Sequence, residues 1–245
     1  MEAIILGTGS GLPELNKHHS GLLVKTNKHF ILIDTGDGCA QRLLQHEIEP
    51  DDLDAIMITH YHPDHVSGLF MVLQMLYLAG RTKQLMLFLP ERPSVVMDTL
   101  HTMYTFVEKF SFKLLVLDME QTELYLDKVS TKSTDHLFGY AGLIQDHSLP
   151  NQMKSWSVKI SGETGDMVFS SDLATTDCIA DFIRDVHTII VDAGHPSADQ
   201  ILKLEYLNIK RIVLNHGMSK ELQERRHELK EGLFEIAKED WIYSV

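Results

Sequence analysis

Short apolar runs alternate with polar or glycine-containing breaks along the chain, and this pattern predicts most of its elements. Strand-type runs are read at Ala3 to Gly7, Gly21 to Thr26, Phe30 to Asp34, Ala55 to Thr59, Gln84 to Leu89, Phe112 to Leu117, Trp156 to Ile160, Met167 to Ser170, Thr188 to Asp192 and Arg211 to Asn215. Most are bounded by Gly, Asp, Pro or charged residues, as strands are. Helical spacing is read near Cys39 to His46, Val66 to Ala79, Ser94 to Phe110, Ala198 to Leu207 and Ser219 to Ala237. Ser197 and Gln200 have the spacing of a capping box just ahead of Ile201, Leu202 and Leu204, which marks one helix start. Several strands precede the first helix and more cluster between residues 112 and 170, so a layered mixed sheet is expected rather than a doubly wound one. The stretch from 91 to 146 gives the weakest pattern. With no repeat, low-complexity tract or Pro/Ser-rich linker in view, residues 1–245 are read as one domain.

Composition narrows this picture. At 44% hydrophobic and 23% charged residues, the 245-residue chain has the make-up of a folded domain with a large core. Apolar stretches such as Leu69 to Ala79 and Leu85 to Pro90 fall short of the roughly 20 residues a membrane helix needs, so no span is expected. Glu2 stands where a signal peptide would carry a basic residue, which predicts a cytoplasmic protein. Cys39 and Cys178 form neither a disulfide framework nor a paired cysteine metal site and are read as buried thiols. The net charge of −13 opposes a long polyanionic partner, since Lys and Arg are scattered and Arg225-Arg226 lies in a mixed-charge stretch. Bound cations would locally reverse that field, so a small anionic substrate stays compatible with it.

The sharpest chemical signal is Thr59-His60-Tyr61-His62-Pro63-Asp64-His65, between the apolar run Ala55-Ile56-Met57-Ile58 and a helical run beginning at Val66. In extended backbone, residues two apart point the same way, so His60 and His62 can grip one ion as a pair. Asp64 and His65, at the turn into the helix, can face a second ion. Imidazole nitrogen with carboxylate oxygen suits Zn²⁺, Fe²⁺ or Mn²⁺, and zinc is the first expectation. A lone histidine at a strand end is usually an exposed turn residue, but three imidazoles and a carboxylate within six positions argue for metal.

The block His60-x-His62-x-Asp64-His65 resembles the signature of the metallo-β-lactamase superfamily. Leu6-Gly7-Thr8-Gly9-Ser10-Gly11, His19-Ser20 and Leu32-Ile33-Asp34-Thr35-Gly36-Asp37-Gly38 look like the opening of its ribonuclease Z-like branch. The resemblance implies an α/β fold, a four-layer αββα sandwich of two mixed β-sheets flanked by helices. It also implies three later ligands. Met167-Val168-Phe169-Ser170-Ser171-Asp172 fits the bridging aspartate, with Ser171 where many relatives carry glycine, and Arg211-Ile212-Val213-Leu214-Asn215-His216-Gly217 fits the last histidine. For the remaining histidine, His147 is preferred because His147-Ser148-Leu149-Pro150 leads on to the strand at Trp156; His136 is the alternative.

The resemblance then assigns His60, His62 and His147 to one ion, Asp64, His65 and His216 to the other, and Asp172 between them. Water held between two ions roughly 3.5–4 Å apart would lose a proton near neutral pH and become the nucleophile, a dimetal-bound hydroxide beside Asp64. Ser10, Ser20 and Cys39 are read as packing or turn residues. Asp34 resembles a carboxylate that orients a ligand histidine. His195, in Ala193-Gly194-His195-Pro196-Ser197, resembles the histidine such enzymes place beside the scissile phosphate, where it would assist the leaving oxygen.

The expected function is hydrolysis of a small or short phosphodiester, cyclic or nucleotide-like, with two divalent metal ions as cofactors. A tRNA 3′-end endoribonuclease is the nearest alternative. Against it stand the acidic charge and residues 91 to 146, whose only proline is Pro93 and only glycines Gly139 and Gly142, unlike a long Gly- and Pro-rich tRNA-holding arm. Hydrolysis of a lactone, thioester or β-lactam, and a degenerate partner-binding protein, are the remaining readings. The apolar stretch Ser94 to Phe110 leaves a lid, a homodimer contact and core packing open.

Overall fold

The structure is a computed structural model describing residues 1–245. Its first strands are β1 (Glu2–Gly7), β2 (Gly21–Lys25), β3 (Phe30–Ile33), β4 (Ala55–Met57), β5 (Leu85–Leu89), β6 (Leu114–Asp118) and β7 (Val129–Ser133). They are followed by β8 (Trp156–Ser161), β9 (Asp166–Phe169), β10 (Thr188–Asp192), β11 (Arg211–Asn215), β12 (Phe234–Ile236) and β13 (Ile242–Ser244). The chain divides into two compact units, Met1–Tyr125 with Glu239–Ser244, and Leu126–Lys238 with Val245.

The first unit holds a seven-stranded sheet in the order β13-β1-β2-β3-β4-β5-β6. Its first half is antiparallel, and β3 to β6 run parallel. Parallel strands must be buried on both faces, and the sequence obliges: Leu32 and Ile31, which alternate sides, are both fully buried. The helix Leu69–Leu78 buries Leu69, Val72, Leu73 and Leu76, the i, i+3, i+4, i+7 stripe, against Leu23, Leu32, Ile56 and Leu87. The predicted run Val66 to Ala79 is thus two helices, Pro63–Val66 and Leu69–Leu78, interrupted at Ser67-Gly68.

The second unit holds a six-stranded sheet in the order β12-β11-β10-β9-β8-β7. Strands β9 to β12 are parallel and β7 to β9 antiparallel. Ile189, Val191, Ile212 and Leu214 pack with Ile183, Ala198, Ile201 and Leu222 from the covering helices. The capping box at Ser197 and Gln200 forms as the spacing predicts, with Ser197 N donating to Gln200 Oε1 at 3.1 Å. One helix expectation is corrected: the run Ser219 to Ala237 is α-helical only over Lys220–Glu224, with a short 3-10 helix at Arg226–Glu228, and Phe234–Ile236 is a strand parallel to β11. Gly232, at φ 78°, makes the left-handed turn that ends any helical path and starts β12.

Two mixed sheets with flanking helices account for the α/β class expected from the sequence. The poorly patterned stretch 91–146 contains β6, β7, the helix Pro93–Met103 and several shorter helical segments. No helix is long and apolar enough to cross a membrane.

Candidate metal centre

In the first unit, the donors of residues 60–65 follow β4 directly. The backbone is extended at His62 (φ −66°, ψ 144°), and Pro63, whose ring fixes φ and needs no N–H partner, opens the helix Pro63–Val66. His60, Asp64 and His65 are buried. The imidazole centroids of His60 and His62 lie 4.7 Å apart and those of His60 and His65 4.1 Å apart. Asp64 Oδ2 is 3.6 Å from His65 Nε2.

Asp34 backs this group from the end of the neighbouring parallel strand β3. Its buried carboxylate accepts from Thr59 N at 2.8 Å and from the Thr59 hydroxyl at 2.9 Å, and Oδ2 lies 2.7 Å from His65 Nδ1. A carboxylate can only accept, so His65 donates from Nδ1, and its Nε2 lies on the side of the ring that faces Asp64 Oδ2. Gly36 lets the loop after Asp34 come this close: a Cβ there would sit 2.3 Å from Asp64 O.

In the second unit the donors lie beyond the carboxyl ends of three parallel strands, β9, β10 and β11, where open α/β sheets place their ligands. Asp172 follows β9, His195 follows β10 and His216 follows β11, while His136 comes from the segment after β7. Asp172 Oδ2 lies 3.2 Å from His216 Nε2 and 3.5 Å from His136 Nε2. Ser171 (φ 53°) and His216 (φ 61°) are left-handed, which is strained for both and turns the chain sharply at each strand end. This is the conformation glycine would supply at position 171. Gly194 allows the β10 and β11 loops to touch, since a Cβ there would lie 2.7 Å from His216 O.

His195 stands apart from the buried donors, with 44% of its side chain exposed. Asp192, the last residue of β10, fixes it: Oδ1 accepts from Gly194 N and His195 N, and Oδ2 lies 2.9 Å from His195 Nδ1. A carboxylate only accepts, so the His195 proton on this side of the ring is on Nδ1. Its ring lies 5.0 Å from that of His136 and 5.4 Å from that of His216.

The structure does not bring His147 to these donors. His147 is exposed, at the C-cap of the short helix Ala141–Asp146, while the alternative, His136, lies beside Asp172. The physical reason lies at residue 135. Asp135 accepts from Ala174 N at 2.9 Å and Thr175 N at 3.1 Å, and the Thr134 hydroxyl donates to Asp172 O at 3.3 Å. Thr134 and Asp135 thereby clip the segment carrying His136 onto the loop carrying Asp172. Burial works to raise the Asp135 pKa, but the Thr175 hydroxyl and the backbone donors outweigh it and hold the carboxyl below its ordinary range. Asp135 and Asp192 were missed in sequence; only the i, i+3 spacing of Asp192 and His195 hinted at a pair.

No thiol competes as a nucleophile. Burial, reinforced by the charge of Asp34, pushes the Cys39 thiol up to about 12, and burial takes Cys178 to about 12 as well. The donor set is what a first-row divalent ion takes: imidazole nitrogens and carboxylates, their rings anchored by further carboxylates. Within the second unit, one ligand atom each from Asp172, Asp192 and His195 lie within 4.8 Å of one another.

Residues 1–240 match the family described as anti-Pycsar protein Apyc1, and the chain belongs to that family. It is also similar to ribonuclease Z of Methanocaldococcus jannaschii, with 28% identity over 151 residues, 62% of this chain and 45% of that enzyme. The chain spans about half the length, or less, of the curated ribonucleases Z it matches. Among solved structures it resembles the metallo-β-lactamase fold protein YhfI of Bacillus subtilis (TM-score 0.74, 17% identity, 99% of this chain and 98% of that one). A diphosphatase of the PhnP family is equally similar (TM-score 0.74, 18% identity, 100% and 97%). The fold is thus the metallo-β-lactamase fold, and the curated relatives named here are ribonucleases Z.

Proposed function

We propose that this member of the Apyc1 family is a metal-dependent phosphodiesterase acting on a small or short phosphodiester. His60, His62, Asp64, His65, His136, Asp172 and His216 would hold two divalent cations, with zinc expected first and manganese or iron as alternatives. Bound there, the ions would supply an activated water and Lewis-acid polarisation of the phosphoryl oxygens. The observation that carries this reading is the buried His65, whose ring is fixed by Asp34 at 2.7 Å from Nδ1 and lies with its centroid 4.1 Å from that of His60 and its Nε2 3.6 Å from Asp64 Oδ2, so that imidazole and carboxylate donors gather at one place.

The remaining chemistry belongs to the chain's own side chains. His195 is the exposed member of the group, and Asp192 fixes its tautomer and ring direction as the aspartate of a catalytic triad does for its histidine. With a second proton on Nε2, the imidazolium would donate from that nitrogen to the departing oxygen or to the charge developing on the phosphoryl group, while Nδ1 keeps its bond to Asp192.

Two observations favour a small substrate over tRNA. The net charge of −13 repels a long polyanion, and the stretch 91–146 is taken up by β6, β7 and short helices. A diphosphatase among the structural relatives is a precedent for phosphate chemistry on this fold. Ribonuclease Z activity is the second reading, favoured by the curated relatives. The test is metal analysis of the purified protein with a panel of bis-p-nitrophenyl phosphate, a cyclic mononucleotide, a dinucleotide, a tRNA precursor, nitrocefin and a lactone. Turnover of the small phosphodiesters alone is expected. Cleavage confined to the tRNA precursor would establish the second reading, and turnover confined to nitrocefin or the lactone would overturn both.

A further inference from the structure

Glu239 opens the short return of the chain into the first unit, just before β13 pairs with β1. Its carboxylate gathers four donors. Oε1 accepts from Thr8 N at 3.2 Å, from the Thr8 hydroxyl at 3.4 Å and from His18 N at 2.8 Å. Oε2 lies 2.7 Å from His18 Nδ1. Only 16% of the Glu239 side chain is exposed, so this is a built contact rather than a solvated surface pair.

Thr8 and His18 are the two limbs of the glycine-rich loop that follows β1. Gly9 N donates to His18 O at 2.8 Å, and a Cβ on Gly7 would lie 1.8 Å from His19 O, so the limbs are in direct contact. Two residues past His18, Ser20 N donates to Asp64 O at 3.0 Å, and the Ser20 hydroxyl donates to Asp34 Oδ2 at 3.3 Å. On the other limb, a Cβ on Gly11 would lie 3.7 Å from Asp64 Oδ2. Both limbs gripped by Glu239 therefore end against Asp64 or the carboxylate that orients His65.

We infer that Glu239, far from the metal-binding motif in sequence, is a positioning residue: it clamps the glycine-rich loop and so fixes Asp64 and His65 for a divalent cation. This rests on the metal reading above, but its test does not need turnover. Cobalt(II) alone is the probe, because its visible absorption reports ligand geometry as well as occupancy. Glu239→Ala is expected to weaken cobalt binding about ten-fold, the low end for residues that orient ligands, and to change the absorption band. Glu239→Gln keeps an amide oxygen for Thr8 and His18 N and is expected to restore most of the affinity.

Asp240→Ala supplies the structural control. Asp240 ties the same return segment to Arg42 and to His46 (2.7 Å) without touching the loop. It is expected to lower the melting temperature and leave both cobalt readouts alone. If Glu239→Ala fails to fold, His18→Ala, which removes one of the four bonds, carries the same expectation at smaller size. Wild-type cobalt affinity and spectrum in the folded Glu239 or His18 variant would overturn the inference by itself. A wild-type protein that takes up no cobalt would overturn the metal reading and this inference together.

Discussion

Residues 60–65 place four donor side chains on six consecutive positions after one strand, whereas His136, Asp172, His195 and His216 reach their places on four separate segments of the second unit. The first group owes its geometry to local backbone. Extended residues alternate, Pro63 starts a helix, and one carboxylate from the adjacent strand locks the ring of His65. The second owes its geometry to the register of β9, β10 and β11, whose carboxyl ends align three loops, and to a clip between the segments at Asp135 and Ala174-Thr175. A contiguous group therefore tolerates shifts of the surrounding sheet, while a dispersed group has one hub, Asp172, on which the others depend.

That contrast can be broken most severely at the hub. Asp172→Ala should abolish metal retention in the pure protein and cut kcat/KM by more than about 100-fold, beyond what residues that merely orient ligands contribute. His136→Ala should follow it, as judged by metal content and steady-state kinetics. A step down, His195→Ala should keep its metal and lose about 100-fold in kcat, the lower range for a proton-transfer group. Undiminished turnover would take His195 out of the reaction.

In the contiguous group the weak point is the backing residue. Asp34→Ala strips acceptors from the Thr59 N–H and hydroxyl and from His65 Nδ1, each costing about 1–3 kcal/mol if left unmet. Metal affinity should fall about 10-fold and the denaturation midpoint should drop with it. The smallest effect belongs to His147→Ala, which should leave metal content and kcat at wild-type values because the side chain is exposed and outside the cluster. A loss there equal to that of His136→Ala would restore His147 as the ligand and refute the placement of the second group.

The same contrast explains what could be read from sequence. Strand ends were legible from the apolar runs, and the resemblance to the metallo-β-lactamase superfamily then pointed to Asp34, Asp172 and His216 beside β3, β9 and β11. The choice between His147 and His136 was not legible, because nothing in the local pattern of residues 134–136 reveals that Asp135 bonds to a loop 39 and 40 positions later. Strands β7, β12 and β13 were also missed. β7 is polar, Val129-Ser130-Thr131-Lys132-Ser133, and the other two are three residues long, so each is set by pairing with a neighbour rather than by its own hydrophobic pattern. Glu239 was invisible for the same reason: its four donors lie more than 200 residues away along the chain.

The account stands or falls on whether the contiguous and dispersed donors bind cations in common. Calorimetric titration of the metal-stripped wild type, His62→Ala and Asp172→Ala with manganese would decide it. The account predicts two ions per chain in the wild type and a lower stoichiometry or affinity in both variants. Equal binding in all three proteins, or none in the wild type, would contradict it.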